Sequence, residues 1–184
     1  MDHIKFAIDQ IKKNPGPWIL INLIFMFVPC VSIVCGVQFC RVVRDAVDND
    51  RAPEIGDLFN FDKIGPDITA VAVFFGAIMV SGMLCYLPLL FVGPVLSMTL
   101  WVASEDKLVG VDAAKASYYW GKDNWGHCLG TLIVLGILCS LPIYACGLGL
   151  LIYGSLMHLA HYSWYRTHRD AIYAAAAKNG LPSA

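Results

Sequence analysis

Three long stretches of this sequence contain no charged residue, and they constrain the fold more than any other feature. They cover residues 15–40, 68–104 and 128–165, which hold no Asp, Glu, Lys or Arg. A membrane-spanning helix needs about 20 consecutive apolar residues, because the hydrocarbon core of a bilayer is about 30 Å thick. Only 15% of the chain is charged, whereas soluble domains average about 25%. The sequence therefore predicts an all-α integral membrane protein whose partner is the lipid bilayer.

The second and third uncharged runs are too long to be single membrane-spanning helices. They hold 37 and 38 residues, and a helix of that length would measure about 55 Å at about 1.5 Å per residue. Proline and glycine interrupt each run near its middle, where they end helices or reverse the chain. We therefore expect each run to form a hairpin of two helical arms. The interrupting residues are Pro88, Gly93 and Pro94 in the second run and Pro142, Gly147 and Gly149 in the third.

The first run holds 26 residues and has the same order of interruptions, with Pro29 followed by Gly36. The sequence thus predicts three apolar helical hairpins, or about six hydrophobic helices. The alternative is a single tilted helix over the first run, which gives the chain five crossings. Similar short motifs precede the three runs, beginning at Lys13, Lys63 and Lys122. We interpret residues 1–184 as a single membrane domain of three degenerate repeats, covering about 1–48, 49–107 and 108–184.

The distribution of basic residues predicts the topology. Lys and Arg divide as three, four, three and three among the four polar segments, with no alternation between rich and poor segments. Single crossings would alternate under the positive-inside rule, whereas hairpins keep every polar segment on one face. We expect both termini and all polar loops on the cytoplasmic side of a prokaryotic inner membrane. Five tryptophans near the ends of the runs predict an interfacial belt, and Tyr86 and Tyr144 mark the hairpin tips. The tryptophans are Trp18, Trp101, Trp120, Trp125 and Trp164.

Two polar segments have the spacing of amphipathic helices that lie in a membrane interface. The first has apolar residues at Ile4, Ala7, Ile8 and Ile11. The second, a weaker candidate, has Leu108, Val111, Ala114 and Tyr118. Such helices either cover the edge of the helical bundle or insert into one leaflet and widen it.

The sequence offers little catalytic chemistry. His158 and His161 are the only ionisable residues within the runs, and their i, i+3 spacing would let them share a metal or haem. No Asp or Glu accompanies them, so we interpret both as packing and hydrogen-bonding residues. Asp45, Asp48 and Asp50 resemble the start of a calcium loop, but the following residues do not fit its spacing. We therefore predict no enzyme activity and no catalytic, cofactor-binding or metal-binding residue.

Three further features restrict the class of protein. They are the cysteines, the overall charge and the small residues. The seven cysteines show no CxxC spacing, which favours buried thiols. A net charge of −1 without a basic stripe excludes a nucleic-acid partner. Pairs of small residues four apart predict close helix contacts within the hairpins or, as the second interpretation, between copies in an oligomer. These pairs are Gly126 with Gly130, Ala72 with Gly76, and Ala77 with Ser81.

Two stretches resemble known membrane proteins. Residues 36–65, "GVQFCRVVRDAVDNDRAPEIGDLFNFDKIG", resemble a domain-of-unknown-function family of prokaryotic multi-helix membrane proteins. Residues 113–130 and 147–166, with a Lys-x-Asn-Trp junction and a glycine-rich turn, are similar to a related group. The resemblance implies an all-helical membrane domain of about six hydrophobic helices and implies no activity.

The function that these features favour is structural. Hairpins entering from one side would shape or scaffold the membrane, as a homo-oligomer or in contact with a membrane-complex partner. One alternative is a small transporter or channel, because broken helices and repeats are common in that class. Another is an accessory subunit of a larger membrane complex.

Overall fold

The computed structural model describes residues 2–27, 35–60, 62–84, 88–146 and 149–182. Within these ranges the protein consists of helices and connecting turns, without a β-strand, so the all-α prediction is confirmed. The helices are α1 (Asp2–Lys13), α2 (Pro15–Phe27), α3 (Gly36–Asp48), a 3-10 helix (Ile55–Phe59), α4 (Ile64–Met83), α5 (Leu89–Leu96), α6 (Thr99–Ser104), α7 (Val111–Asp123), α8 (Trp125–Cys146) and α9 (Leu150–Lys178).

Local chemistry explains several helix ends. Helix α1 has Asp2 in its first turn and Lys12 and Lys13 in its last, which complements the helix dipole. Helix α2 begins at Pro15, where the missing N–H of proline would have no partner within the helix. Helix α9 ends before Gly180, whose φ of +81° allows the chain to leave the helix.

The predicted interruptions in the runs are only partly placed correctly. Pro88 immediately precedes α5, but Pro94 lies inside that helix. The chain breaks instead at residues 97–98, between α5 and α6. Helix α8 continues through position 142 to Cys146, and Gly149 precedes α9. Proline therefore does not always end a helix, since positions 94 and 142 both lie within one. The predicted features at Pro29, Tyr86 and Gly147 lie outside the described residues.

Few of the helices meet the requirements of a membrane span. In the described part of the chain, Ile64–Met83 is long and apolar enough to cross a bilayer. A second candidate exists if Val111–Asp123 and Trp125–Leu141, which meet at an angle of 100°, are one broken span. Pro15–Phe25 and Leu89–Ser104 are apolar but shorter. The expectation of about six membrane-crossing helices is therefore not supported, since only one or two helices of the described residues are both long and apolar enough.

The chain divides into two compact units, each assembled from two separate segments. Unit 1 comprises Met1–Asn60 and Ile133–Arg166, and unit 2 comprises Phe61–Leu132 and Thr167–Ala184. The three sequence repeats stay a prediction.

Unit 1 is held together where α9 packs against α2 and α3. The Ser155 hydroxyl donates to the backbone oxygen of Trp18 at 2.7 Å. Gly154 lies so close to the Asn22 side chain that a Cβ atom at position 154 would overlap it. The Phe25 and Phe39 rings stack at 4.3 Å, so the end of α2 meets the start of α3.

Unit 2 is centred on the contact between α5 and α7. A Cβ atom at Gly121 would lie 2.6 Å from the Val95 Cα, so the two backbones are in direct contact. The Ser117 hydroxyl donates to Val95 O at 2.8 Å and accepts from the Met98 N–H at 3.1 Å. Trp125 donates its indole N–H to Leu90 O at 2.9 Å. Small residues on α7 therefore allow a close backbone approach.

Candidate functional site

The polar segments on the two sides of each uncharged run contact each other. Lys13 and Asp50 flank the first run, and their Nζ and Oδ1 atoms are 2.5 Å apart. Lys63 and Asp106 flank the second, with Nζ and Oδ2 at 2.8 Å. Around the third run, the ring centroids of His127 and His168 lie 5.2 Å apart. We call these three contacts the closing pairs, because each returns the chain to the point where its run began.

The residues that follow the first run form a polar network. Arg51 is its centre: Nε and Nη2 donate to Asp45 Oδ2, the former at 2.8 Å, and Nη2 donates to Asp57 Oδ2 at 2.6 Å. Hydrogen bonds from Asp45 and Asp57 raise the pKa of the Arg51 guanidinium above its ordinary value. The Gln38 amide donates to Asp57 O at 2.7 Å, which attaches the 3-10 segment to α3. The network thus fixes the loop after α3 against the helix.

A polar cavity of about 190 Å³ lies beside this network. Its lining combines three arginines with two carboxylates and two amides. These residues are Arg41, Arg44, Arg51, Asp45, Asp57, Gln38 and Asn60. We call it the arginine cavity. It is the feature most suited to binding a small anion in the described part of unit 1.

The three acids that resemble a calcium loop point to separate partners. Asp45 binds Arg51, whereas Asp48 accepts a hydrogen bond from the Tyr162 hydroxyl at 2.9 Å. Asp50 belongs to the first closing pair. Among the described residues, no group of three or more His, Cys, Asp or Glu side chains is placed to hold a metal ion.

The two histidines within the third run contact protein groups. His158 Nδ1 lies 2.7 Å from Gly154 O, and its ring is 4.6 Å from that of Phe39. The ring of His161 stacks on Trp164 at 5.4 Å. These contacts agree with a packing role for both side chains and a hydrogen-bonding role for His158.

A second polar network lies in unit 2, after the second run. Glu105, whose side chain is only 8% exposed, accepts two hydrogen bonds from Arg169 at 2.5 and 2.7 Å. The Tyr173 hydroxyl donates to the same carboxylate at 3.1 Å. Lys107 lies over the Tyr173 ring at 5.4 Å. The carboxylate therefore attaches the last helix to the segment that follows α6.

Helix α1 forms over the predicted range, and its apolar face is divided. Ala7 and Ile11 are buried, whereas Ile8 is 39% exposed. Beside this open part lies an apolar groove of about 510 Å³, to which α8 contributes Leu138 and Leu141. The second amphipathic candidate also divides, because two of its residues are buried and two are exposed. The buried pair is Leu108 and Ala114, and the exposed pair is Val111 and Tyr118.

The predicted tryptophan belt is wrong for four of the five residues. Trp18, Trp101, Trp120 and Trp164 are buried inside the protein, so they do not face lipid. Trp125 is partly buried and stacks on Phe91. The prediction of buried thiols is confirmed where the side chains are described. Those cysteines are Cys35, Cys40, Cys128 and Cys139.

The small residues of the predicted helix contacts are mostly open. A Cβ atom at Gly76, Gly126 or Gly130 would meet nothing within 4 Å, so these glycines make no close contact within the chain. The close contacts lie instead at Gly121 and Gly154, which no four-residue pair had singled out. No family model, curated protein or solved structure matches the chain.

Sequence reasoning missed the closing pairs and the arginine cavity. Arg41 and Arg44 are three residues apart, and this i, i+3 spacing on α3 was an available signal. No such signal predicted the pairing of Lys13 with Asp50, because the two residues are far apart in the sequence. Only the folded chain brings them together.

Proposed function

We propose that this protein is a structural integral membrane protein that inserts helical hairpins from one face of the cytoplasmic membrane and bends or scaffolds the bilayer. Membership of the prokaryotic membrane family that the sequence resembles is part of this proposal. The observation that carries it is the set of closing pairs. Contact between the polar segments on the two sides of a run supports entry and exit of that run at one place.

The polar connections support entry from a common face. Between Asp50 and Lys63, and between Asp106 and His127, the chain is rich in charged residues. Such segments cannot cross a hydrocarbon core without a large desolvation cost. If each run returns to the face where it began and the connections do not cross, all three runs enter from the same face.

The short helices favour partial insertion, in which the protein acts as a wedge in one leaflet of the bilayer. Helix α2 has 13 residues, or about 20 Å at about 1.5 Å per residue, whereas the hydrocarbon core measures about 30 Å. Helix α4, with 20 residues, is long enough to cross. Arms that stop within the bilayer occupy more area in the leaflet that they enter, and this asymmetry favours curvature. They also form a poor wall for a continuous pore, which weighs against the transporter alternative.

Exposed apolar side chains supply the surface that lipid would cover. Helix α4 and the turn after it expose Met79, Val80, Met83 and Leu84, with Met83 82% exposed. In unit 1, helix α8 exposes Ile133, Val134, Ile137 and Leu141. Apolar patches of this kind mark membrane or protein contacts.

The open glycines favour a second role, as an oligomer or accessory subunit. Gly126 and Gly130 lie four residues apart on α8 with nothing within 4 Å of an added Cβ. Close helix packing in membranes uses small residues at this spacing. A second copy of this chain or a membrane-complex partner would occupy that face.

Reconstitution tests the structural role. Purified protein is added to vesicles at rising protein-to-lipid ratios, and vesicle diameter is measured by light scattering and electron microscopy. We expect smaller vesicles or tubules as the protein density rises. The variant Ile8→Glu places a charge on the exposed apolar part of α1 and should weaken the effect, because the charge opposes insertion. The control Gln10→Glu adds the same charge beside it and should leave the effect unchanged.

Unchanged vesicle diameter at every protein density would refute membrane shaping. Flux of ions or small solutes through the same vesicles would favour the transporter alternative. Stoichiometric copurification of another membrane protein would favour the accessory role. The three outcomes are distinguishable in one preparation.

A further inference from the structure

We propose that the arginine cavity binds a small phosphate-bearing anion, either free phosphate or the phosphate of a lipid headgroup. The inference goes beyond the structural role proposed above and does not depend on it. It rests on the lining of the cavity, its charge and its size.

Helix α3 places the lining residues along one side of the cavity. Gln38, Arg41 and Asp45 are spaced by three and four residues, so they follow one another on a single helix face. Arg44 lies beside Asp45 and also lines the cavity. The Arg41 Nη1 donates to Gln38 Oε1 at 3.0 Å, which orients the guanidinium along this face. The helix therefore presents two arginines to one small space.

The charge balance of the lining is positive. Three arginines and two carboxylates line the cavity, which leaves a net charge of +1. Both carboxylates, Asp45 and Asp57, bind Arg51. Arg41 and Arg44 add two further guanidinium groups to the lining. Guanidinium groups bind phosphate well because their planar N–H donors match its oxygens in pairs.

The size of the cavity selects the ligand class. A volume of about 190 Å³ is below the range of about 300 to 1,000 Å³ that is usual for drug-sized ligands. A phosphate group fits such a space. Gln38 and Asn60 complete the polar lining, and Gln38 already bonds Asp57 O and Arg41. The cavity thus suits a phosphate group attached to little or nothing else inside the protein.

A binding experiment with two probes separates the sources of the phosphate. The full-length protein is purified in an uncharged detergent, and its melting temperature is followed against the concentration of inorganic phosphate or of short-chain phosphatidylglycerol. A ligand that binds the folded state raises the melting temperature in proportion to its occupancy. We expect the variant Arg41→Gln, Arg44→Gln to bind about tenfold more weakly, which corresponds to about 1.4 kcal/mol.

The matched control is Lys115→Gln, Lys122→Gln on α7, which removes the same charge elsewhere and should bind as the wild type does. Circular dichroism and the ligand-free melting temperature establish that each variant folds. If the glutamine variant does not fold, Arg41→Lys, Arg44→Lys keeps the charge, and it should bind more weakly than the wild type because lysine lacks the planar donors.

The outcomes are distinct. Arginine-dependent binding of both probes supports recognition of the phosphate group itself. Arginine-dependent binding of one probe supports the proposal and identifies the source as lipid or free anion. The proposal is overturned if neither probe binds the wild type, or if the arginine variants bind with unchanged affinity.

Discussion

Charged residues in this protein make their most consequential contacts over long sequence distances. The closing pairs join residues of the polar segments on the two sides of an uncharged run. Sequence reasoning located the charged segments, because charge is excluded from apolar surroundings. It could not assign the partners, since spacing predicts contacts only within a few turns of one helix. The arginine cavity was missed for the same reason, because Arg51 and Asp57 reach it from a loop.

The nearly buried carboxylate of Glu105 gives a prediction at this scale. Replacing Arg169 by methionine should lower the free energy of unfolding by about 2 to 4 kcal/mol, because the Glu105 carboxylate loses its bidentate partner while still shielded from water. The control Arg166→Met removes an exposed contact of 3.7 Å with Asp48 and should cost about 0 to 1 kcal/mol. Reversible unfolding followed by circular dichroism measures both. Equal losses would contradict the role assigned to Glu105.

The position of the first helix was predictable, whereas several helix breaks and most helix contacts were not. The apolar spacing of Ile4 to Ile11 predicted α1, and the structure has that helix. The tryptophans were expected at a lipid interface and are mostly buried, because their distance from the run ends does not reveal which side faces protein. Pro94 was expected to break a helix and lies within α5. Close packing appears at Gly121, where a single small residue meets the backbone of a neighbouring helix.

The contact between α5 and α7 can be tested with two glycine variants. Gly121→Ala should destabilise the protein by about 1 to 3 kcal/mol, because the added methyl group overlaps the Val95 backbone, which cannot rotate away. Gly130→Ala is the control, since its Cβ would meet open space, and it should be neutral or stabilising by up to about 1 kcal/mol through higher helix propensity. Thermal unfolding compares the two. A neutral Gly121→Ala would show that α5 and α7 are not in backbone contact.

The whole molecule shows how far composition determines architecture. Three uncharged runs predicted an all-α protein, and the described residues are helical without strands. The number of membrane-crossing helices was not predictable from run length, because the breaks depend on packing around Ser97 and Met98 and not on proline alone. The two compact units also combine segments from both halves of the chain. A linear repeat in the sequence does not reveal such an assembly.

The topology of the chain gives the prediction at this scale. Reporters of compartment placed after Asn49, after Asp112 and at the C-terminus should all lie on the cytoplasmic face, because in the proposed arrangement each closing pair holds the two sides of a run at one face. A reporter fused at the N-terminus serves as the reference for the same face. Reporters at Asn49 and Asp112 on opposite faces would contradict both same-side entry and the membrane-shaping role.

In the proposed membrane arrangement, the closing pairs also bear on how the chain enters the bilayer during synthesis. When the polar segments on both sides of each run stay at one face, only the uncharged runs, residues 15–40, 68–104 and 128–165, have to partition into lipid. No aspartate, glutamate, lysine or arginine then travels through the hydrocarbon core, and no water-filled passage for hydrophilic loops is required. Since the membrane potential acts on charges that move across it, we expect insertion of this protein to proceed equally well in energised and de-energised membranes.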